Sequence, residues 1–238
     1  MDIFQLLRFG DNGWGFQILS AALMTVALTI SALIVGAIFG GMVATAKISR
    51  NRLANWSGNL YLHLFRSIPE LLIIYLFYFG GASIVSALGH WFGAEGYIDV
   101  PPFIVGMLAV GLISGSYQAE VYRGAFLAIS RGEIEAALSI GMSKTLLFRR
   151  IIAPQIFQKA LPGLGNVMQM SLKDSALISV IGLVELMRAS QLAAGSTRQY
   201  FTFYIIAGVI YMLLTGLSGL IFNKAESKAK KMQRRHSV

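Results

Sequence analysis

Cysteine is absent from the 238-residue sequence, and histidine occurs only three times. Without cysteine the chain has neither disulfide bonds nor a thiolate metal site. The histidines, His63, His90 and His236, are far apart in the sequence, which argues against a histidine metal site. We therefore expect no metal and no other cofactor.

Charged residues are scarce as well. They make up 13% of the chain, against about a quarter of a typical soluble domain. Hydrophobic residues make up 55%, and the mean hydropathy is +0.65. This composition predicts an all-α integral membrane protein. In a soluble protein the net charge of +9 would suggest a nucleic-acid partner. In a membrane protein it instead reports orientation, and no nucleic acid is expected.

Five apolar stretches are long enough to cross a bilayer, at about residues 16–46, 59–88, 103–126, 161–179 and 200–222. The first is too long for the core of a signal peptide and follows one basic residue, Arg8, so we expect a retained helix. Residues 1–238 then form one transmembrane domain in contact with lipid. The basic tail, 223–238, is expected to be cytoplasmic and to fray into solvent.

Small residues recur four positions apart in two of these spans. Gly36 and Gly40 lie in the first span, and Gly111 and Gly115 lie in the third. This spacing predicts close contact between helices.

The distribution of basic residues predicts the orientation. Of the 20 Lys and Arg residues, 16 fall in or near the first loop, in 123–159 and in the tail, all on one side under this assignment. Basic loops are cytoplasmic, so the N-terminus is expected in the periplasm and the C-terminus in the cytoplasm. The charged segment at about 131–155, between the third and fourth spans, is then cytoplasmic as well.

This charged segment mixes polar and apolar residues, reading EIEAALSIGMSKTLLFRRIIAP over 133–154. As one helix from Glu133 to Leu147 it has an apolar face, a row of small residues and a charged face. Pro154 limits the next helical stretch. Composition leaves two interpretations open, an amphipathic helix lying on the bilayer and a docking helix for a partner.

The spacing of particular residues in this segment resembles the EAA motif of the permease subunits of ABC importers. Glu135-Ala136-Ala137 is followed after three residues by Gly141, and after nine more by Ile-Ile-Ala-Pro at 151–154. The usual motif ends in Ile-x-Leu-Pro, and Ala153 replaces its leucine. Three further motifs are similar to the polar amino-acid branch of the family: Phe65-Arg66-x-x-Pro69, Tyr117-x-x-Glu120-x-x-Arg123-Gly124 and LKDSAL at 172–177.

The resemblance covers nearly the whole chain and is strongest to the histidine, arginine and opine uptake systems. It implies a type I ABC importer permease of the bacterial inner membrane, with five transmembrane helices and a cytoplasmic coupling helix. The implied partners are an ABC ATPase dimer, a periplasmic substrate-binding protein and a second permease subunit, a different chain being favoured over a second copy. Glu135, Ala136, Ala137 and Gly141 are implied as the residues that dock on the ATPase.

The chain has no G-x-x-x-x-G-K-[ST] phosphate-binding loop. We therefore expect it to be non-enzymatic, with ATP hydrolysed by a separate subunit.

Charged residues inside the predicted spans point to a cargo site. A charge in the bilayer centre costs roughly 2.5 to 3.5 kcal/mol on insertion scales. Counting from the span starts places Glu70, Lys173 and Asp174 at similar mid-bilayer depth, next to Ser175. These residues are predicted to bind the ammonium and carboxylate groups of an amino acid, and the excess of one acid favours cationic cargo. A purely structural ion triad is the alternative.

Other charged pairs are interpreted as structural. Glu120 and Arg123 are expected to form an ion pair near the cytoplasmic side. Glu185 and Arg188 are expected to form an outer-face pair or a contact with the binding protein.

Two other functions remain alternatives, an ion-coupled secondary transporter and a non-transporting scaffold. The first usually needs inverted repeats, which five spans in this chain do not show. The second would not need charges in the bilayer.

Overall fold

The computed structural model describes residues 6–10, 13–93, 96 and 98–236, with the backbone alone for 232–236. All regular elements in these residues are helices, which confirms the predicted all-α class. A helix satisfies its backbone hydrogen bonds internally, as an apolar surrounding requires.

Eight helices make up this part of the chain. The first four are α1 (Gly15–Ile48), α2 (Arg52–Ser67), α3 (Glu70–Trp91) and α4 (Pro102–Leu127). The other four are α5 (Arg131–Ser139), α6 (Lys144–Ile181), α7 (Leu186–Thr197) and α8 (Tyr200–His236). A π turn, Leu76–Gly80, lies within α3. In α6 there is another at Phe148–Ile152, and the helix ends in the 3₁₀ segment Ser175–Ile181.

Four of the described helices, α1, α3, α4 and α8, are long and apolar enough to cross a membrane singly. Helices α6 and α7 pass the same test as a pair and are bent by 52° relative to each other. The described residues therefore provide up to five spans, the fifth being broken.

Helices α1 and α4 pack closely through their glycines. A Cβ atom on Gly36 would lie 2.3 Å from Ser114 Oγ. One on Gly40 would lie 2.8 Å from the Gly115 carbonyl oxygen and 3.1 Å from a second backbone atom, the Ala119 nitrogen. The small-residue spacing seen in the sequence thus corresponds to a helix contact made through backbone atoms.

We expect Gly40→Val to destabilise the chain by about 1 to 3 kcal/mol, since overpacking at a backbone contact forces the helices apart. Gly41→Val is the matched control, because a Cβ on Gly41 meets nothing within 4 Å. The melting temperature of each purified variant in detergent measures the difference. Equal melting temperatures for the two variants would contradict the close contact.

The second predicted span, 59–88, is not one helix. Helix α2 ends at Ser67, the backbone of Ile68 is extended, and α3 begins after Pro69. Proline has no N–H group and disfavours the helical conformation in the residue before it, which explains the break. The depth of Glu70 therefore cannot be counted from the start of α2.

The end of the chain also differs from the prediction. Helix α8 continues to His236, so residues 223–236 are helical rather than frayed. Glu226 and Lys230 form an i,i+4 ion pair at 2.5 Å on this extension. Such pairs support exposed helices, and the Lys and Ala residues here are good helix formers. Residues 237–238 lie outside the described residues.

Candidate functional site

Glu70 lies at the break between α2 and α3, and the helix that follows this break packs into the bundle. Ile74, one turn further along α3, belongs to a buried cluster with Ala32 from the middle of α1. Before the break, the Tyr61 hydroxyl donates to the Leu112 carbonyl in α4 at 2.6 Å. These contacts place Glu70 level with the middle of α1 and α4, although the count that first suggested this depth does not apply.

The carboxyl groups of Glu70 and Asp174 face each other. Asp174 is the last residue of the α-helical part of α6, after which the chain tightens into the 3₁₀ segment. That segment packs against the start of α3, and the Asp174 carboxyl group lies next to that of Glu70. Both side chains are partly exposed. Adjacent carboxylates repel each other unless a cation or a proton lies between them, so the pair can accept a cationic group.

Lys173 makes no direct ion pair with either carboxylate. Its side chain is exposed, and it forms no ion pair with a carboxylate of the described residues. The structural ion triad that the sequence left open is therefore not formed within this part of the chain. Lys173 instead provides a cation one residue away from Asp174, where it can bind an anionic group of the same ligand.

Ser175 does not join the exposed charges. Its side chain is buried, and its hydroxyl donates to the Leu172 carbonyl at 2.7 Å. The alternation of exposed and buried faces at the end of α6 turns this residue inward. Ser175 thus lies next to the predicted site in sequence, but its side chain contacts the protein interior.

Two of the family-like motifs form contacts between helices. Glu120 binds Arg123 on its own helix at 2.7 Å, as the i,i+3 spacing predicted, and also Lys47 at the end of α1 at 2.5 Å. The Lys47 partner was missed because it is distant in sequence. The Arg66 guanidinium lies 5.2 Å from the centre of the Tyr117 ring, within cation–π range.

The interpretation of Glu185 as an outer-face residue paired with Arg188 was wrong. Glu185 is fully buried at the bend between α6 and α7. Its carboxylate accepts hydrogen bonds from the backbone N–H groups of Met187 and Arg188 and thus caps α7. The contact with Arg188 is made by the backbone and not by the side chain.

The charged segment is not the single helix Glu133–Leu147 that the sequence suggested. Helix α5 ends at Ser139, and Gly141 adopts the left-handed conformation with φ of +81°. The Gly141 N–H donates to the Leu138 carbonyl and the Met142 N–H to the Ala137 carbonyl, at 3.0 and 3.1 Å. This pair of bonds is a Schellman motif, which glycine favours because it has no Cβ.

The motif residues of α5 point in two directions. Glu135 and Ala136 are exposed, whereas Ala137 is buried in a small core with Ile129, Leu147 and Ile152. Ala137 therefore packs within its own chain, and its role in docking stays a prediction. Between α5 and α6, the Gln155 side chain donates to the Glu133 carboxylate.

No three His, Cys, Asp or Glu side chains in the described part of the chain could hold a metal ion together. The arrangement offers two features, a carboxylate pair at a helix break and a short exposed helix joined to the bundle.

Residues 32–231 match the family described as the binding-protein-dependent transport system inner membrane component. The chain belongs to this family of inner membrane permeases. It is 50% identical over 235 residues to the octopine transport system permease protein OccQ of Rhizobium meliloti, covering 99% of each chain. It is 38% identical to the histidine/lysine/arginine/ornithine transport system permease protein HisQ of Escherichia coli K12, over 228 residues, covering 95% of this chain and 96% of that one.

Solved structures agree with this family. One chain of a crystal structure of an amino acid ABC transporter with histidines superposes with a TM-score of 0.76 and 31% identity, covering 90% of this permease and 95% of that chain. A chain of the inward-facing MetNI methionine ABC transporter gives a TM-score of 0.71, covering 90% of the permease and 97% of that chain. Its identity is 16%, so it supports the fold alone. The predicted family and the role as an ABC permease subunit are confirmed.

An exposed hydrophobic side chain at the end of α5 was not singled out from the sequence. Ile140, the C-cap residue of α5, is 77% exposed, and Leu138 beside it is 46% exposed. Large apolar side chains exposed together mark surfaces that bind a partner. The signal was present in the sequence, but reading 133–147 as one helix obscured which residues face outward.

Substitutions at Gly141 can distinguish a need for the left-handed backbone conformation from a need for close contact with a partner. We expect Gly141→Ala to lower stability by about 1 kcal/mol, because alanine disfavours the left-handed conformation, and Gly141→Asn to lower it less. A Cβ at this position meets nothing within 4 Å in the chain itself. The melting temperature and ATP-driven uptake of both variants are measured. Normal stability of both, with uptake lost in both, would assign the glycine to close contact with a partner instead.

Proposed function

We propose that this permease carries cationic amino acids, or opines derived from them, and that Glu70 and Asp174 bind the positive charge of the cargo. The observation that supports this is the pair of facing carboxylates at the break in the bundle, with no ion-pair partner in the described residues. A guanidinium or ammonium group would bridge the two carboxylates through charge-assisted hydrogen bonds. Lys173 would bind the carboxylate of the same molecule.

The names of the relatives support this choice of cargo. OccQ is a component of an octopine transport system, and HisQ is a component of a transport system for histidine, lysine, arginine and ornithine. All of these molecules carry an amino acid carboxylate, and most carry a cationic side chain at neutral pH. Glu70, Asp174 and Lys173 together have a net charge of −1, which matches cargo with an extra positive charge.

Energy is proposed to come from a separate ABC ATPase dimer that docks on α5. Glu135, Ala136, Gly141 and Ile140 would form the contact, with the small residues allowing close approach and the carboxylate setting the register. The complex would further contain a second permease subunit and a periplasmic substrate-binding protein. We place the N-terminus in the periplasm and the C-terminus in the cytoplasm, on the same side of the membrane as α5.

The experiment that tests this proposal is uptake into proteoliposomes. The chain is purified from its native host, the subunits that copurify with it are identified, and the complex is reconstituted with ATP inside the vesicles. We expect accumulation of labelled L-arginine that stops with vanadate and continues with a proton uncoupler. Uptake that stops with the uncoupler and continues with vanadate would support secondary transport. No uptake of any cationic amino acid, nor of octopine, would refute the proposed cargo.

A further inference from the structure

The bend between α6 and α7 contains a buried carboxylate that the proposed cargo site does not use. Glu185 has no exposed surface, and it is not part of any ion pair in the described residues. Only hydrogen bonds compensate for the loss of water around it, and a charge in that situation needs several donors. Its first two donors are the backbone N–H groups of Met187 and Arg188, at 2.9 and 2.8 Å.

The remaining donors come from other helices. The Tyr211 hydroxyl of α8 donates to Glu185 at 2.9 Å, and the Thr25 hydroxyl of α1 lies at 3.5 Å. Thr25 Oγ1 also accepts from the Leu186 N–H at 3.1 Å. The carboxylate therefore joins α1, α7 and α8 at one point.

Capping α7 does not by itself explain why this residue is glutamate. Asp, Asn, Ser and Thr are the preferred N-cap residues, because their short side chains reach the first N–H groups. Aspartate at position 185 could cap α7, but it would be one methylene too short to keep the bonds to Tyr211 and Thr25 as well. The longer side chain is needed for the contacts between helices.

The same network reaches the proposed cargo site. Helix α7, which Glu185 caps, packs directly against the 3₁₀ segment that begins at Ser175. Ser175 directly follows Asp174, whose carboxyl group faces Glu70. Loss of the hydrogen bonds around Glu185 would thus loosen α7, against which the segment following Asp174 is packed.

We infer that Glu185 is a positioning residue, which with Tyr211 and Thr25 fixes α7 against the 3₁₀ segment and so holds Asp174 opposite Glu70. This inference rests on the proposed function of that carboxylate pair. Glu185 itself touches no cargo, because it is fully buried. Its removal should therefore weaken cargo binding more than it slows the turnover of the loaded complex.

The test uses Glu185→Asp and Tyr211→Phe, separately and together, in the reconstituted complex. For each, the apparent KM and the maximum rate of labelled L-arginine uptake are measured, with melting temperature as the readout of folding. We expect each single variant to raise the apparent KM about tenfold, the effect of roughly 1.4 kcal/mol, with a smaller change in maximum rate. The double variant should be little worse than the more severe single one, since both changes break the same network.

Two controls match these variants. Tyr122→Phe removes a tyrosine hydroxyl that bonds only within α4, to Gln118 at 2.9 Å, and should leave the KM unchanged. Asp174→Asn changes the cargo site directly and should raise the KM. If Asp174→Asn leaves the KM unchanged, the proposed cargo site is wrong. If it raises the KM while Glu185→Asp and Tyr211→Phe do not, only the positioning role is refuted.

A structural role alone makes a different prediction. If Glu185 only caps α7, Glu185→Asp should behave as the natural chain does. If Glu185→Asp fails to assemble, the Tyr211→Phe variant tests the inference instead, because it leaves the Glu185 cap of α7 intact. A normal KM for Tyr211→Phe would then overturn the inference, and a raised KM with a normal melting temperature would support it.

Discussion

Replacing Glu70 by glutamine is expected to reduce uptake of labelled arginine at low concentration by about tenfold to a hundredfold, the effect of losing one hydrogen bond to a charged group. The amount of protein in the membrane should stay unchanged. Glu70 forms no ion pair within the described residues, so its neutralisation leaves no buried cation without a partner. Glutamine keeps the shape and one acceptor oxygen, and it removes the charge and the second acceptor.

The measurement compares a cationic with a neutral amino acid. Arginine uptake should fall more than any residual uptake of glutamine. The reason is that only arginine has a cationic side chain to bind the carboxylate pair of Glu70 and Asp174. Glu226→Gln is the control, since Glu226 lies in the extension of α8 and pairs with Lys230. Reduced membrane abundance, or an equal loss for both amino acids, would show that Glu70 stabilises the bundle and does not bind cargo.

Replacing Ala136 by tryptophan is expected to reduce ATP-driven uptake about a hundredfold or more without unfolding the permease. Ala136 is exposed on α5, so the isolated chain can accommodate the larger side chain. At a docking surface the same side chain would hold the ATPase away, since contact surfaces are packed as tightly as protein interiors. Copurification measures whether the ATPase still binds, and uptake by the complex measures whether transport is lost.

Two tryptophan variants serve as controls for this result. Ala137→Trp should lower membrane abundance, because Ala137 is 4% exposed and packs inside its own chain. Ser227→Trp, on the exposed extension of α8, should change neither abundance nor uptake. If Ala136→Trp copurifies with the ATPase and transports normally, α5 is not the coupling helix, and the alternative of a helix lying on the bilayer would return.

The features that the sequence predicted correctly depend on residues close together along the chain. Long apolar runs with few charges indicate membrane helices, because a helix of about 20 apolar residues matches the thickness of the bilayer core. The spacing between Glu135, Gly141 and Pro154 indicated the family without any knowledge of how the helices pack. The pair Glu120 and Arg123 was predicted because residues three apart lie on one face of a helix.

Local backbone geometry was predicted less well, even where its cause is visible in the sequence. Pro69 breaks the second span, and Gly141 ends α5, yet both lie in stretches whose composition suits a continuous helix. Proline and glycine are tolerated inside many helices, so their presence alone does not show which of them will end one. The surrounding contacts decide that outcome.

The sequence by itself determined that this chain is a helical membrane permease and which segments carry its charges. Only the tertiary structure decided which of those charges meet. Glu70 and Asp174 are more than one hundred residues apart and face each other because the 3₁₀ segment packs on α3. Glu185 can be buried because Thr25 and Tyr211, from opposite ends of the chain, add donors to the backbone N–H groups that it caps. A charged side chain is stable inside a bundle only with such partners, and the packing of distant helices brings them together.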